Sequence, residues 1–168
     1  MLETKDLILD KGRFEDWEAM YRNVWRHPES ARYMQWRVTD HPEDAPDRMR
    51  RNIQWQKVHD TYFVYLKTTG EAVGFAGVER ISPTLWEEGG ICLGPDFVGK
   101  GYGKQILQCL LDYARAGGAE EFIAWAWEEN TASRALIASL GFTHVATEDR
   151  VDDRNGRPYR KLKFRRAL

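Results

Sequence analysis

The sequence predicts one α/β domain built on a mixed sheet, and three observations carry that reading. Gly90-Ile91-Cys92-Leu93 reads as a short strand, Gly94-Pro95-Asp96 as a turn, and Val98-Gly99-Lys100-Gly101-Tyr102-Gly103-Lys104 as a glycine-rich loop opening a helix. Helical patterns separate the strand-like runs only in part, which implies a mixed sheet rather than a purely parallel one. A chain of 168 residues with 42% hydrophobic and 12% aromatic content is long enough for one sizeable core.

Each element has its own signal. Leu2 to Leu9 reads as a first strand. Phe14 to Trp25 reads as a helix with Phe14, Trp17, Met20, Tyr21 and Trp25 on one face, broken by His27-Pro28. A second helix is expected from Pro46 to His59, on an imperfect stripe of Met49, Ile53, Trp55 and Val58. Tyr62 to Lys67 and Ala72 to Ile81 form a hairpin around Thr69-Gly70-Glu71. After the glycine loop, Ile106, Leu107, Leu110, Leu111 and Ala114 recur at helical spacing, and Gly117-Gly118 closes that helix. Phe122 to Trp127 is a further strand, a last helix follows it, and two closing strands flank the hairpin signal Asn155-Gly156. Near the C-terminus Leu162 and Phe164 alternate with Lys161, Lys163 and Arg165, the pattern of an edge strand with one charged face rather than of an RNA-binding tail.

Composition excludes several function classes. A formal net charge of −1 supplies no field for nucleic acid or membrane, and no apolar run is long enough to span a bilayer. Met1-Leu2-Glu3-Thr4-Lys5 lacks a basic start and an apolar segment, and Cys92 and Cys109 have neither disulfide-framework nor metal spacing, so a reducing, cytoplasmic setting is expected. His27, His41, His59 and His144 show no ligand spacing, so no metal is expected.

The glycine loop carries the chemistry. Glycines at 99, 101 and 103 admit positive φ and remove every Cβ that blocks close approach, so successive N–H groups can converge on one anion at a helix N-terminus. The spacing G-x-G-x-G is not the dinucleotide fingerprint G-x-G-x-x-G, and no G-K-[ST] follows, which removes both nucleotide readings.

In this context Val98-Gly99-Lys100-Gly101-Tyr102-Gly103 resembles the [RQ]-x-x-G-x-[GA] signature of the GCN5-related N-acetyltransferases, with Val98 in place of the usual Arg or Gln. The stretch Asn130-Thr131-Ala132-Ser133-Arg134-Ala135-Leu136-Ile137-Ala138-Ser139-Leu140-Gly141-Phe142 is similar to that family's N-x-x-[AS]-x-x-L-x-x-x-x-G-F element. The pattern is most like the ribosomal-protein N-terminal acetyltransferase branch. The resemblance implies a mostly antiparallel sheet of about seven strands with splayed central parallel strands and about four helices. It implies acetyl-coenzyme A as the acetyl donor and a primary amine, of a protein N-terminus or a small molecule, as acceptor.

The resemblance also implies site residues. Val98, Gly99, Lys100, Gly101, Tyr102, Gly103 and Lys104 would hold the pyrophosphate, Ile91, Cys92 and Leu93 the pantetheine arm, and Asn130 would cap the second helix and touch the same arm. Amine attack needs a base, since an alkyl ammonium titrates near about 10.4. Two carboxylates qualify: Glu88, just upstream of the cradle, and Asp152, within the acidic cluster 148–153. Each has a plainer reading, Glu88 as a solvated strand charge beside an opposite-facing Glu87, and Asp152 as a charge before a turn. Many relatives carry a Tyr acid where this chain has Ile137, leaving Ser133 as the donor to sulfur or as a first-turn helix serine. Tyr33 and Trp36 would overhang the acceptor; Trp17, Trp25 and Trp55 are expected in core or cleft wall, and Trp86 is left open. The rival function is a non-catalytic acyl-coenzyme A sensor. The oligomeric state is expected to be monomer or homodimer.

Overall fold

A computed structural model describes residues 1–168. Eight strands form one sheet in the order β1-β2-β3-β4-β5-β6-β8-β7. They are β1 (Leu2–Glu3), β2 (Leu7–Asp10), β3 (Thr61–Leu66), β4 (Ala72–Arg80), β5 (Leu85–Leu93), β6 (Glu121–Trp127), β7 (Thr143–Asp152) and β8 (Arg157–Ala167). All neighbours pair antiparallel except β5 and β6, which are joined by the helix α4 (Tyr102–Ala116) and run parallel. A parallel pair needs such a crossover, and this one puts α4 across the sheet.

The two faces are covered by different parts of the chain. Ile106, Leu107, Leu110, Leu111 and Ala114 of α4 pack on Leu7, Leu9, Val64, Val78, Trp86 and Phe122, joined by Ile137 of α5 (Thr131–Ser139). The opposite face of β3 to β5 is covered by α1 (Trp17–Met20), the π-helical turn Tyr21–Trp25, α2 (Pro28–Ala31) and α3 (Ala45–Gln56), through Met20, Val24, Trp25, Ala45 and Met49. No helix is long and apolar enough to cross a membrane.

Several expectations need correction. The strand expected over Leu2 to Leu9 is a two-strand hairpin, because Thr4 Oγ1 accepts the Leu7 amide at 3.0 Å and Gln105 Oε1 of α4 accepts the Asp6 amide at 3.1 Å. With that hairpin the sheet has eight strands, in keeping with the expected mostly antiparallel sheet of about seven. The Phe14–Trp25 helix divides into a 3-10 turn, α1 and the π-helical turn, and Pro28 starts a separate short helix after the break. Helix α3 stops at Gln56 because the amides of Lys57 and Val58 turn back to Gln54 and Trp55. Trp55 is thus outside the core, 56% exposed and stacked on His59. Strand β8 is not an edge; it lies between β6 and β7, and the edge is the largely exposed β7. Trp86 is core, its indole filling the space beside Gly117 at the end of α4.

Candidate active site

The glycine loop forms as its residue types require. Gly99 and Gly101 hold φ of +74° and +79°, where an L side chain is strained. The main-chain N–H groups from Val98 to Lys104 find no acceptor in the protein, and the first bond of α4 runs from Gln105 N to Gly101 O at 3.2 Å. Unpaired donors stacked on the positive end of a 15-residue helix make an anion site. A Cβ on Gly103 would stand 3.2 Å from Leu136 Cδ2, so this glycine lets α5 approach the same corner.

Beside the loop the sheet opens. The β5–β6 ladder ends at Glu87 opposite Ile123, and beyond it the two strands diverge. On the other side of β5, Ala76 pairs with Ile91 and Val78 with Glu88, so Gly89 and Gly90 together oppose Gly77. This bulge, with Gly90 at φ +105°, bends β5 just where it leaves β6. The result is a cleft of about 880 Å³ that runs from the glycine loop to Glu88.

Glu88 borders the gap between the diverging strands. Burial pushes its carboxyl up to about 7, against the opposing pull of the Trp125 and Gly90 amides and the Lys161 ammonium. A carboxylate poised near neutrality beside an anion site is suited to taking a proton. Glu87 borders the cleft as well, contrary to simple alternation, because a gap at strand ends is reached from both faces; its Oε2 accepts the Trp125 indole N–H at 3.3 Å.

One wall of the cleft is aromatic. Tyr33 and Trp36 line it, Tyr33 tilted on Trp127 at 5.8 Å and Trp36 edge-on to Phe75 at 6.4 Å. At the far wall Asn130 caps α5, its Oδ1 accepting the Ser133 amide at 3.1 Å. Ser133 lines the cleft, and so does Ile137, which is 1% exposed and otherwise packed in the core.

Not every expected residue comes to the cleft. The Cys92 side chain turns to the opposite core, its Sγ 3.4 Å from Ser30 O, and Cys92 does not line the cleft. Val98 and Lys104 border the cleft and Ile91 and Leu93 line it, while Lys100 and Tyr102 contribute no lining side chain. Asp152 is corrected outright as a base. It is 2% exposed and paired at 2.8 Å with Arg154, which holds its carboxyl down at about 2. Arg154 then donates to Ala31 O at 2.6 Å and Trp36 O at 3.1 Å, so the pair fastens the segment carrying Tyr33 and Trp36. Arg48 fastens the same segment from α3, its guanidinium 4.8 and 4.7 Å from the Trp25 and Trp36 rings while Nη1 donates to Arg37 O and Thr39 Oγ1. Phe75, Trp125, Trp127 and Lys161 also line the cleft and were not anticipated. The alternation of Trp125 and Trp127 placed both on one strand face and was the available signal.

Residues 6–143 match the model of the acetyltransferase (GNAT) domain. The chain belongs to the GNAT family. Among relatives of this GNAT protein, the N-alpha-acetyltransferase RimI of Mycobacterium tuberculosis is 33% identical over 92 residues, 53% of this chain and 56% of RimI. The matched stretch thus spans little more than half of that relative. The uncharacterised N-acetyltransferase p20 of Bacillus licheniformis is 28% identical over 84% of this chain and 81% of its own. In fold the GNAT chain is similar to an acetyltransferase of Bacillus anthracis, with TM-score 0.83, 19% identity and coverage of 99% and 97% of the two chains. It is also similar to RimL, an alpha-N-protein acetyltransferase solved with coenzyme A, with TM-score 0.79, 22% identity and coverage of 98% and 96%.

Proposed function

We propose that this GNAT protein transfers an acetyl group from acetyl-coenzyme A to a primary amine by direct attack in a ternary complex. The observation that carries the reading is the set of unpaired amides from Val98 to Lys104, opening onto a cleft that reaches Glu88. The residues fit the donor. The amides and the α4 terminus would hold its diphosphate, and the free edge of β5 from Gly90 to Leu93 would pair with its pantetheine arm as an added strand does. Bound there, the donor supplies an activated acyl thioester.

The chain's own groups do the rest. Glu88 accepts a proton from the incoming ammonium, directly or through water, so that a neutral amine attacks. Amides of the bulged strand stabilise charge on the carbonyl oxygen, and the Ser133 hydroxyl, which makes no hydrogen bond within the protein, donates to the departing sulfur. Tyr33, Trp36 and Trp127 surround the acceptor and exclude bulk water. The acceptor class is a protein N-terminus or a small-molecule amine, in keeping with a RimI relative and a RimL-like fold.

The test is thiol release from acetyl-coenzyme A with the purified protein and a panel of amines and short peptides. Amine-dependent release with matching acetylated product supports the reading. Tight coenzyme A binding without turnover on any amine would move the protein to the sensor class.

A further inference from the structure

Lys161 is a cation the fold leaves unanswered inside the cleft. It lies on β8 opposite Trp127 of β6, with its Nζ 4.7 Å from the Trp125 ring centroid. It lines the cleft together with Glu87 and Glu88. Its strand neighbours are engaged elsewhere. Arg160 pairs with Glu128 at 2.9 Å, and Arg165 with Glu121, whereas the Lys161 ammonium forms no salt bridge and no hydrogen bond within the protein. Glu148, its partner across the β7–β8 ladder, is taken by Arg150, and Glu87 is taken by the Trp125 indole. Lys163, also over the Trp125 ring at 5.2 Å, does not reach the cleft lining.

A bare ammonium held against an indole face, beside two carboxylates and among aromatic walls, has a chemical complement. The carboxylates suit an amine, the ammonium suits an anion, and the aromatic walls suit an apolar remainder. Lys161 and the glutamates line one cleft, and the ammonium's field reaches the Glu88 carboxyl, so a ligand that answers both carries its two charged groups on one small frame. Resting on the transferase reading, we infer that the acceptor is a small aminocarboxylate with an apolar or aromatic side chain, its carboxylate bound by Lys161 and its amine presented to Glu88.

Binding and catalysis would then be coupled. Lys161 pulls the Glu88 carboxyl down from the value burial alone would set, with Glu87 opposing it. An acceptor carboxylate that neutralises Lys161 relieves that pull and makes Glu88 a stronger base once the site is filled.

The experiment compares phenylalanine with phenylalaninamide as acceptors, in wild type, Lys161→Met and Lys161→Arg, with a short peptide bearing a neutral N-terminal residue as a further arm. Wild type is expected to acetylate phenylalanine in preference to the peptide. Measured at a pH above the acid limbs of both proteins, Lys161→Met is expected to lose about 10- to 100-fold in kcat/KM on phenylalanine, chiefly through KM, and markedly less on phenylalaninamide. Lys161→Arg should restore most of the loss. The acid limb of the free-enzyme pH profile should also move upward in Lys161→Met, with Glu87, Lys163 and Glu148 left in place. Equal losses on both acceptors, or none, would overturn the assignment of Lys161. Wild type that prefers the peptide would overturn the aminocarboxylate class and leave the transferase reading standing, whereas no turnover on any arm would remove both.

Discussion

At the scale of single residues, Glu88 concentrates the functional reading. A carboxyl raised by burial from 4.5 to about 7 is protonated in much of the acid range, so turnover should rise with pH through about 7 as the basic form appears. Glu88→Gln is expected to lower kcat by about 10²- to 10⁴-fold with coenzyme A affinity unchanged, measured by thiol release and calorimetry. The same substitution should stabilise the fold at pH 8. The sign follows from linkage: the folded state binds the Glu88 proton more tightly than the unfolded chain, so wild type loses stability as pH climbs from about 4.5 to about 7, and a neutral glutamine does not. Melting curves of the two proteins should coincide near pH 4 and separate above it. Lower stability of the glutamine variant at pH 8 would contradict the burial argument. Asp152 shows the opposite environment. Bound by Arg154, it holds the acceptor segment rather than a proton, and Asp152→Asn is expected to raise the acceptor KM several-fold while leaving coenzyme A affinity intact.

At the scale of elements, the site is a junction of two backbone irregularities. Positive φ at Gly99 and Gly101 frees the loop amides, and the Gly89-Gly90 bulge bends β5 away from β6. An added Cβ at Gly101 meets no atom within 4 Å, so Gly101→Ala acts through backbone strain alone, of the order of 1–2 kcal/mol. It should reduce coenzyme A affinity by calorimetry while the protein still folds. How much of this was legible depends on range. The cradle and the α5 cap could be read because glycine spacing and an N-cap asparagine are local signals. The order of β8 before β7, the ion pair hiding Asp152 and the cleft position of Lys161 could not, because each depends on which strands meet across the sheet. Trp55 misled for a related reason: helical spacing identifies a stripe, but α3 unwinds at Gln56 and leaves that indole outside it.

At the scale of the whole molecule, the fold holds two covered halves against each other and leaves a single seam between parallel neighbours. Helix α4 seals one face of the sheet, α1 to α3 seal the other over β3 to β5, and the seam opens where β5 and β6 part. The segment from Arg32 to Thr39 overhangs that opening and is tied down from α3 by Arg48 and from the β7–β8 hairpin by Arg154. Donor and acceptor would thus enter from opposite ends of one cleft and meet at Glu88. The central claim is that the amides of Val98 to Lys104 hold a diphosphate, and amide NMR of the labelled protein during titration with coenzyme A tests it most directly. Those resonances are expected to move downfield and exchange more slowly with solvent as the site fills. Saturable binding that leaves them unmoved would contradict the account.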